Sequence, residues 1–268
     1  MEDFALSSFD VVGDIAIVEV PEGSDGRDIG KRLIKEHRNI KVVLAKKGEV
    51  EGEFRVRDYE ILASDDNRDF SFVPANLRPT SLTETVHRES GCRFKVDPTK
   101  AYFSVRLGNE RMRIAKLVKD YERILVMFAG AGPYPVVIAR HSKPDKIFAI
   151  EKNPDAFDCM VGNIVMNKVQ GSVKAMLGDV KEVVPDIPGR FDRVIMPLPK
   201  SSETFLELVL PKVIKGGTIH LYRILHENDL QDFLGILDEQ IPGSKIDVIK
   251  AGAYAPGSWR YCFDIKLS

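Results

Sequence analysis

Four short loops in this chain hold the residue types that could bind and act on a nucleotide-like ligand. The first is Phe128-Ala129-Gly130-Ala131-Gly132-Pro133. Gly130 and Gly132 let the backbone turn tightly and approach a ligand, and Pro133 suits the first turn of a helix. No Gly-Lys-Ser/Thr follows, so this is not a Walker loop, and Val136 or a neighbour stands where a dinucleotide fingerprint has its third glycine. By themselves the two glycines fit a plain tight turn equally well. The second loop opens at Glu151, followed by Lys152-Asn153-Pro154. A carboxylate about 20 residues past such glycines can accept hydrogen bonds from both hydroxyls of a ribose. It can equally be a helix-start carboxylate favoured by the helix dipole. The third is Gly178-Asp179-Val180, whose Asp could bond the exocyclic amine of an adenine or cap the next helix. The fourth is Met196-Pro197-Leu198-Pro199-Lys200-Ser201. Its two prolines, each with a fixed φ and no N–H, end the apolar run Val194–Met196 abruptly.

The elements that would position these loops have two different patterns. Up to residue 100 the chain reads as short strands (14–20, 39–47, 54–62), a helix between the first two, and a hairpin turning at Ser90-Gly91 before 92–97. A polar, Pro-containing connection at 64–81 is long enough to be functional or mobile. This predicts a small α+β domain over 1–100. From 101 to 268 strands and helices alternate: a helix at 109–121, strands at 123–132, 146–153, 172–180 and 192–196, a helix over 202–214, a fifth strand near 216–224, and a further helix before two strands around Pro256-Gly257. The helix from Pro154 places Phe157, Met160, Val161, Ile164 and Val165 on one stripe. That alternation predicts an α/β doubly wound parallel sheet, with ligands bound at the carboxyl ends of its strands. Each of the four loops falls at such an end. In that order, the first three form one site for an adenosine-bearing cofactor.

With 268 residues, 44% hydrophobic and 29% charged, the chain is a folded protein and not a disordered one. Lys+Arg at 39 against Asp+Glu at 40 leaves global charge silent about partners. Locally, 31–57 is basic and could meet phosphates, or be an ordinary solvated surface. Cys92, Cys159 and Cys262 are widely spaced without a CxxC, which predicts neither a disulfide framework nor a zinc site. The acidic start has no secretion-signal pattern, and no run approaches the roughly 20 apolar residues of a membrane span. A soluble, cytoplasmic, metal-free and monomeric protein is expected.

The segment Tyr102-Phe103-Ser104-Val105-Arg106-Leu107-Gly108-Asn109-Glu110-Arg111, ahead of the glycine loop, narrows the reading. Together with 83–97, 127–134, 151–169 and the Tyr254-Ala255-Pro256-Gly257 stretch, it resembles archaeal and eukaryotic tRNA guanine-N1 methyltransferases, over essentially the whole chain. The resemblance implies a class I (Rossmann-like) methyltransferase domain preceded by the small α+β domain. It implies S-adenosyl-L-methionine as cofactor, and the anticodon stem-loop of tRNA, at position 37, as partner. The cofactor residues it implies are Arg111, Phe128, Ala129, Gly130, Gly132, Pro133, Glu151, Lys152, Asp179, Val180 and Pro197.

Methylating guanine at N1 requires a carboxylate to remove the N1 proton and a cation to stabilise charge on O6. In the family's pattern Glu110 stands at the base position. Arg55 is the expected O6 partner, Tyr102 and Arg106 shape the surroundings of the base, and Pro197 and Pro199 form a wall. Read without the family, Glu110 with Arg113 or Arg106 is an ordinary helix pair at i±3 or i±4.

Three features depart from the family's pattern. Pro197 replaces an Asn whose amide contacts the base, which resembles an archaeal branch that also methylates C7 of the tricyclic wyosine precursor 4-demethylwyosine. Val126 stands where an acidic residue is frequent. The chain also begins at what resembles the second domain of longer archaeal members, so weaker dependence on the tRNA's outer corner is expected. The alternatives are an aminocarboxypropyl transferase of wybutosine synthesis, disfavoured by the intact Tyr102–Arg111 segment, and a non-catalytic tRNA-binding module.

Overall fold

The computed structural model describes residues 9–52, 54, 56–198 and 202–268, and the chain divides into two compact units, Met1–Val105 and Arg106–Ser268. The division thus falls after Val105, whereas the change of pattern in the sequence lies after Lys100.

In the first unit β1 (Asp10–Val12), β2 (Ile15–Val18), α1 (Gly26–Glu36), β3 (Val42–Glu51) and β4 (Val56–Ser64) build a four-stranded sheet in the order β1-β2-β3-β4. All four residues of β2 are buried, as expected of a β-branched run in the middle of a sheet. β2 and β3 are parallel, joined through α1, while the outer pairings are antiparallel. Asp25 caps α1 by accepting from Arg27 N at 2.8 Å. Ile29 and Leu33 turn inward onto Val43 and Leu62. The hairpin β5 (Thr85–Glu89) and β6 (Cys92–Val96) turns through Ser90 and Gly91, at φ 48° and 68°, the positive angles that tight hairpins require.

The 64–81 connection, long enough by sequence to be functional or mobile, is pinned by Arg68. Its guanidinium bonds both oxygens of Asp14 at 2.7 Å and the carbonyls of Ser81, Leu82 and Glu84. Phe72 lies under the Arg88 guanidinium, 3.9 Å from ring centre to Cζ.

The second unit contains α2 (Gly108–Leu117), β7 (Arg123–Val126), α3 (Pro133–His141), β8 (Lys146–Glu151), α4 (Pro154–Met166), β9 (Val173–Leu177), α5 (Val180–Asp186), β10 (Phe191–Met196), α6 (Leu206–Val209), β11 (Val213–His226), α7 (Leu230–Gln240), β12 (Lys245–Ala255) and β13 (Ser258–Lys266). Its seven-stranded sheet has the order β12-β13-β11-β10-β7-β8-β9. The strands β7 to β11 run parallel, and β13 inserts antiparallel between β11 and β12. The chain moves outward from β7 to β9, then returns to β10 on β7's other side. The strand order therefore reverses between β7 and β10, where a crevice opens at the carboxyl ends. A backbone bond from Met127 N to Ile195 O, 3.0 Å, closes the bottom of that crevice.

Two expectations are corrected. Residues 202–214 are not one helix: they form a 3-10 turn (Ser202–Phe205), the four-residue α6, another 3-10 turn (Leu210–Lys212), and then β11 from Val213. Pro211 cannot donate a backbone bond, and the β-branched Val213 and Ile214 favour extension. On α4 the buried face runs through Ala156, Met160, Asn163 and Ile164, while Val161 and Val165 are exposed. The helix is rotated so that a polar residue, Asn163, faces inward. Among the described residues no helix is long and apolar enough to cross a membrane.

Candidate functional site

The glycine loop is held in shape from two sides. Phe128, Gly130 and Gly132 all have positive φ, 53°, 58° and 81°. Phe128 is the costly one of the three, since left-handed backbone is unfavourable for a residue with a Cβ. Its ring packs edge-on against Phe205 at 5.0 Å. At Gly132 a Cβ would lie 2.7 Å from Met160 Cγ, so glycine is needed there for both angle and space. The buried Asn163 amide donates to Ala131 O at 2.9 Å, which is why α4 turns that residue inward. Pro133 then starts α3, and Ala129 is buried beneath the loop.

Glu151, at the end of β8, ties this loop to the next. Its Oε2 accepts from Gly130 N at 2.6 Å, and its Oε1 from Lys152 N at 2.9 Å and Asn153 N at 2.8 Å. A carboxylate offers about four acceptor positions, so one remains, on Oε2. Burial pushes the Glu151 carboxyl up, against the pull of those three backbone N–H groups. Asn153 caps α4 by accepting from Asp155 N at 3.0 Å.

Asp179 caps α5 through Lys181 N at 2.8 Å and pairs with Lys152 Nζ at 2.9 Å. The capping alternative is therefore realised, and two expected cofactor residues hold each other. Val180 begins α5 and is buried. β10 ends at Met196, and the half-buried Pro197 follows it directly. Val126, where an acidic residue is frequent in the family, is wholly buried in the core.

Glu110 lies in the first turn of α2 and is only 5% exposed. Arg113 Nε donates to its Oε2 at 2.7 Å and Arg113 Nη2 to its Oε1 at 2.8 Å, while the Tyr222 hydroxyl donates to Oε1 at 2.6 Å. The i,i+3 pair that the bare sequence offered as a surface feature thus exists, but its carboxylate is buried and its guanidinium half-buried. One acceptor position stays open on Oε2. The Tyr222 ring is 5.8 Å from that of Tyr134, the second residue of α3, and Arg111 Cζ lies 5.9 Å from the Tyr134 ring. Glu110 is therefore one tyrosine pair away from the end of the glycine loop.

Arg113 also grips Asp264 of β13, Nη1 to Oδ2 at 2.5 Å. Burial would raise the Asp264 carboxyl, but bonds from His220 and Arg113 outweigh it and hold it well below the usual range. Sequence reasoning missed Asn163, Tyr222, Asp264, His220 and Arg193. The available signal was a polar residue inside an apolar strand: Arg193 in "FDRVIM", His220 in "TIHLY", Asp264 in "CFDIK".

Tyr102, 54% exposed, belongs to the first unit, and Arg106, exposed in a 3-10 turn, opens the second. Arg55, Pro199, Lys200 and Ser201 lie outside the described residues. Within the basic stretch 31–57, Lys41 pairs with Asp65 at 2.6 Å, Lys46 with Glu19 at 2.9 Å and Lys47 with Glu60 at 2.8 Å. Those lysines are partly neutralised within their own unit.

A glycine loop at the switch point of a largely parallel sheet, tied to an acidic strand end, defines an α/β fold of the Rossmann-like methyltransferase class. The TRM5/TYW2 methyltransferase domain matches residues 85–236, and the TYW2 N-terminal domain matches residues 1–67. The chain belongs to the TRM5/TYW2 methyltransferase family. It is 35% identical to the tRNA (guanine(37)-N(1))-methyltransferase Trm5b of Pyrococcus abyssi, over 99% of this chain and 76% of the relative. It is 31% identical to the tRNA (guanine(37)-N(1))/4-demethylwyosine(37)-methyltransferase Taw22 of Nanoarchaeum equitans, over 84% of this chain and 86% of that one. It is also 31% identical to the tRNA(Phe) (4-demethylwyosine(37)-C(7)) aminocarboxypropyltransferase of Methanocaldococcus jannaschii, over 96% of each. Among solved structures it resembles aTrm5 in complex with tRNALeu, TM-score 0.81 at 34% identity, over 98% of this chain and 72% of that one. It also resembles Methanocaldococcus jannaschii Trm5 in complex with adenosine, TM-score 0.80 at 32% identity, over 98% and 74%.

Gly132→Ala should destabilise the protein by about 1–3 kcal/mol, from left-handed strain plus overlap with Met160, as read from urea unfolding. Asp264 has its folded-state pKa lowered from an ordinary 3.8, so its stabilisation is present above that value and lost as pH falls through and below it. Unfolding free energy should decline on acidification, and less steeply in Asp264→Asn, as checked by denaturant titrations across pH 2 to 7.

Proposed function

We propose that this chain is a cytoplasmic, S-adenosyl-L-methionine-dependent methyltransferase acting on N1 of guanosine 37 of tRNA. The observation that carries the reading is a carboxylate, Glu110, buried one tyrosine pair from the glycine loop. It closes the Tyr102–Arg111 segment of a chain whose family includes enzymes named for that base.

The donor set suits an adenosyl group. The loop backbone from Phe128 to Gly132 can approach it closely, the open position on Glu151 Oε2 can accept a ribose hydroxyl, and Asp179, Val180 and Pro197 stand at the neighbouring strand ends. Lys152, paired with Asp179, and Arg111, beside the Tyr134 ring, complete the set. Bound there, S-adenosyl-L-methionine supplies an electrophilic methyl group. The chain's own task is to free the lone pair of N1, which is tied up while N1 carries its proton. Glu110 takes that proton at the open position of Oε2. Arg113 and Tyr222 fix its orientation.

Glu110→Gln is expected to lower the single-turnover rate about 100-fold or more, with S-adenosyl-L-methionine affinity retained by calorimetry. Transfer at the unchanged rate near neutral pH would remove Glu110 as base.

A second reading, methylation of C7 of the tricyclic precursor at the same position, rests on Pro197. A proline following β10 leaves an amide-free wall, and the relative from Nanoarchaeum equitans is named for both substrates. Transcripts carrying the precursor should take up labelled methyl, and Pro197→Asn should reduce that uptake more than uptake at guanosine. No uptake on the precursor would limit the chain to guanosine.

A further inference from the structure

Behind Glu110 a continuous file of buried and half-buried polar groups crosses the second unit. Glu122 accepts from Arg193 Nε at 2.7 Å and Nη2 at 2.9 Å, and Arg193 Nη1 lies 2.6 Å from His220 Nε2. His220 Nδ1 is 2.5 Å from Asp264 Oδ1, and these two residues are direct cross-strand partners on β11 and β13. Asp264 accepts from Arg113 Nη1 at 2.5 Å and Nη2 at 3.1 Å, and Arg113 holds Glu110. Arginine only donates, so His220 Nε2 accepts and the ring proton sits on Nδ1, donated to Asp264. A second ring proton would point at the Arg193 guanidinium, so the imidazole is neutral. Burial favours the neutral form as well. The file therefore has a fixed polarity.

His220, Cys262 and Asp264 place three metal-ligating groups within 4.8 Å of one another. A cation has no room in this charge pattern: Arg193 occupies the imidazole lone pair, and Arg113 occupies the carboxylate.

We propose that Asp264 is a positioning residue that sets the proton affinity of Glu110 by sharing the Arg113 guanidinium with it, while His220 and Arg193 hold Asp264 in place. This rests on the reading of Glu110 as the base. A guanidinium given wholly to one carboxylate holds it ionised too firmly for it to accept a proton from N1. Divided between two carboxylates, the same cation orients Glu110 and leaves it basic. The other groups facing Glu110 are Arg111 on its own helix, Tyr222 from β11, Cys262 from β13 and Tyr134 from α3. Burial pushes both tyrosines and the cysteine up, so all three stay neutral. Asp264 is thus the anion that offsets the two arginines of α2.

The test compares Asp264→Asn and Arg113→Lys with the natural chain by single-turnover methyl transfer to guanosine-37 transcripts between pH 5 and 9. In Asp264→Asn the whole fork serves Glu110. The acid limb should move down by about one pH unit, and the plateau should fall because the base is weaker. In Arg113→Lys a single ammonium cannot reproduce the fork's contacts, so Glu110 becomes more basic and the limb should move up. A merely structural role lowers both rates without moving either limb in opposite directions. Infrared titration of the cofactor-free protein gives a reading independent of turnover. The carboxyl band that disappears in Glu110→Gln should titrate lower in Asp264→Asn and higher in Arg113→Lys. Should Asp264→Asn fail to fold, an unmoved or downward limb and band in Arg113→Lys still overturns the proposal. Loss of transfer in Glu110→Gln with unmoved limbs in both variants overturns the proposal alone. Retained transfer in Glu110→Gln overturns the reading beneath it.

Discussion

The second unit is organised around one guanidinium. Arg113 bonds Glu110 on its own helix and Asp264 on β13, and so locks α2 to the sheet through charge as well as through apolar packing. Two carboxylates this close repel one another. Without the cation between them, α2 would lose this tie to the sheet. The placement of Glu110 depends on this shared fork. Buried ionic files of this kind carry a high desolvation cost, and every member here is satisfied: Glu122, Arg193, His220, Asp264, Arg113 and Glu110 each have a partner of opposite sign or role.

The sheet's topology supplies the second constraint. Because strand order reverses between β7 and β10, the loop after Val126 and the loop after Met196 open on the same crevice. The first must be supple enough to turn and fixed enough to bind. Gly130 and Gly132 provide the turn, while Glu151 and Asn163 fix it from two directions. The second needs only to stop the strand, and Pro197 does that at once.

Much of this was legible in the residues. Strand and helix alternation predicts the parallel sheet, and the same pattern puts the loops at 128–133, 151–154 and 178–180 at strand ends. What stayed hidden depends on long-range pairing. Glu110 and Arg113 read as a surface pair because helix spacing does not reveal burial; the contact to Asp264, far along the chain, ties the pair to the sheet. Asn163 lies off the apolar stripe read for α4, yet it turns inward to reach Ala131 O. The helix expected at 202–214 failed on a local signal, Pro211 followed by β-branched residues, that the apolar pattern outweighed. His220 and Asp264 pair across two strands whose register no short window of sequence contains.

The account's central claim is a buried carboxylate base beside an adenosyl-binding crevice, used to methylate guanosine 37. Mass spectrometry of the nucleosides of a guanosine-37 tRNA transcript, after incubation with the protein and S-adenosyl-L-methionine, tests it most directly. The account predicts one methyl group, on N1 of guanosine, confined to position 37. An unmodified transcript, a methyl group at another position, or an aminocarboxypropyl adduct would contradict it.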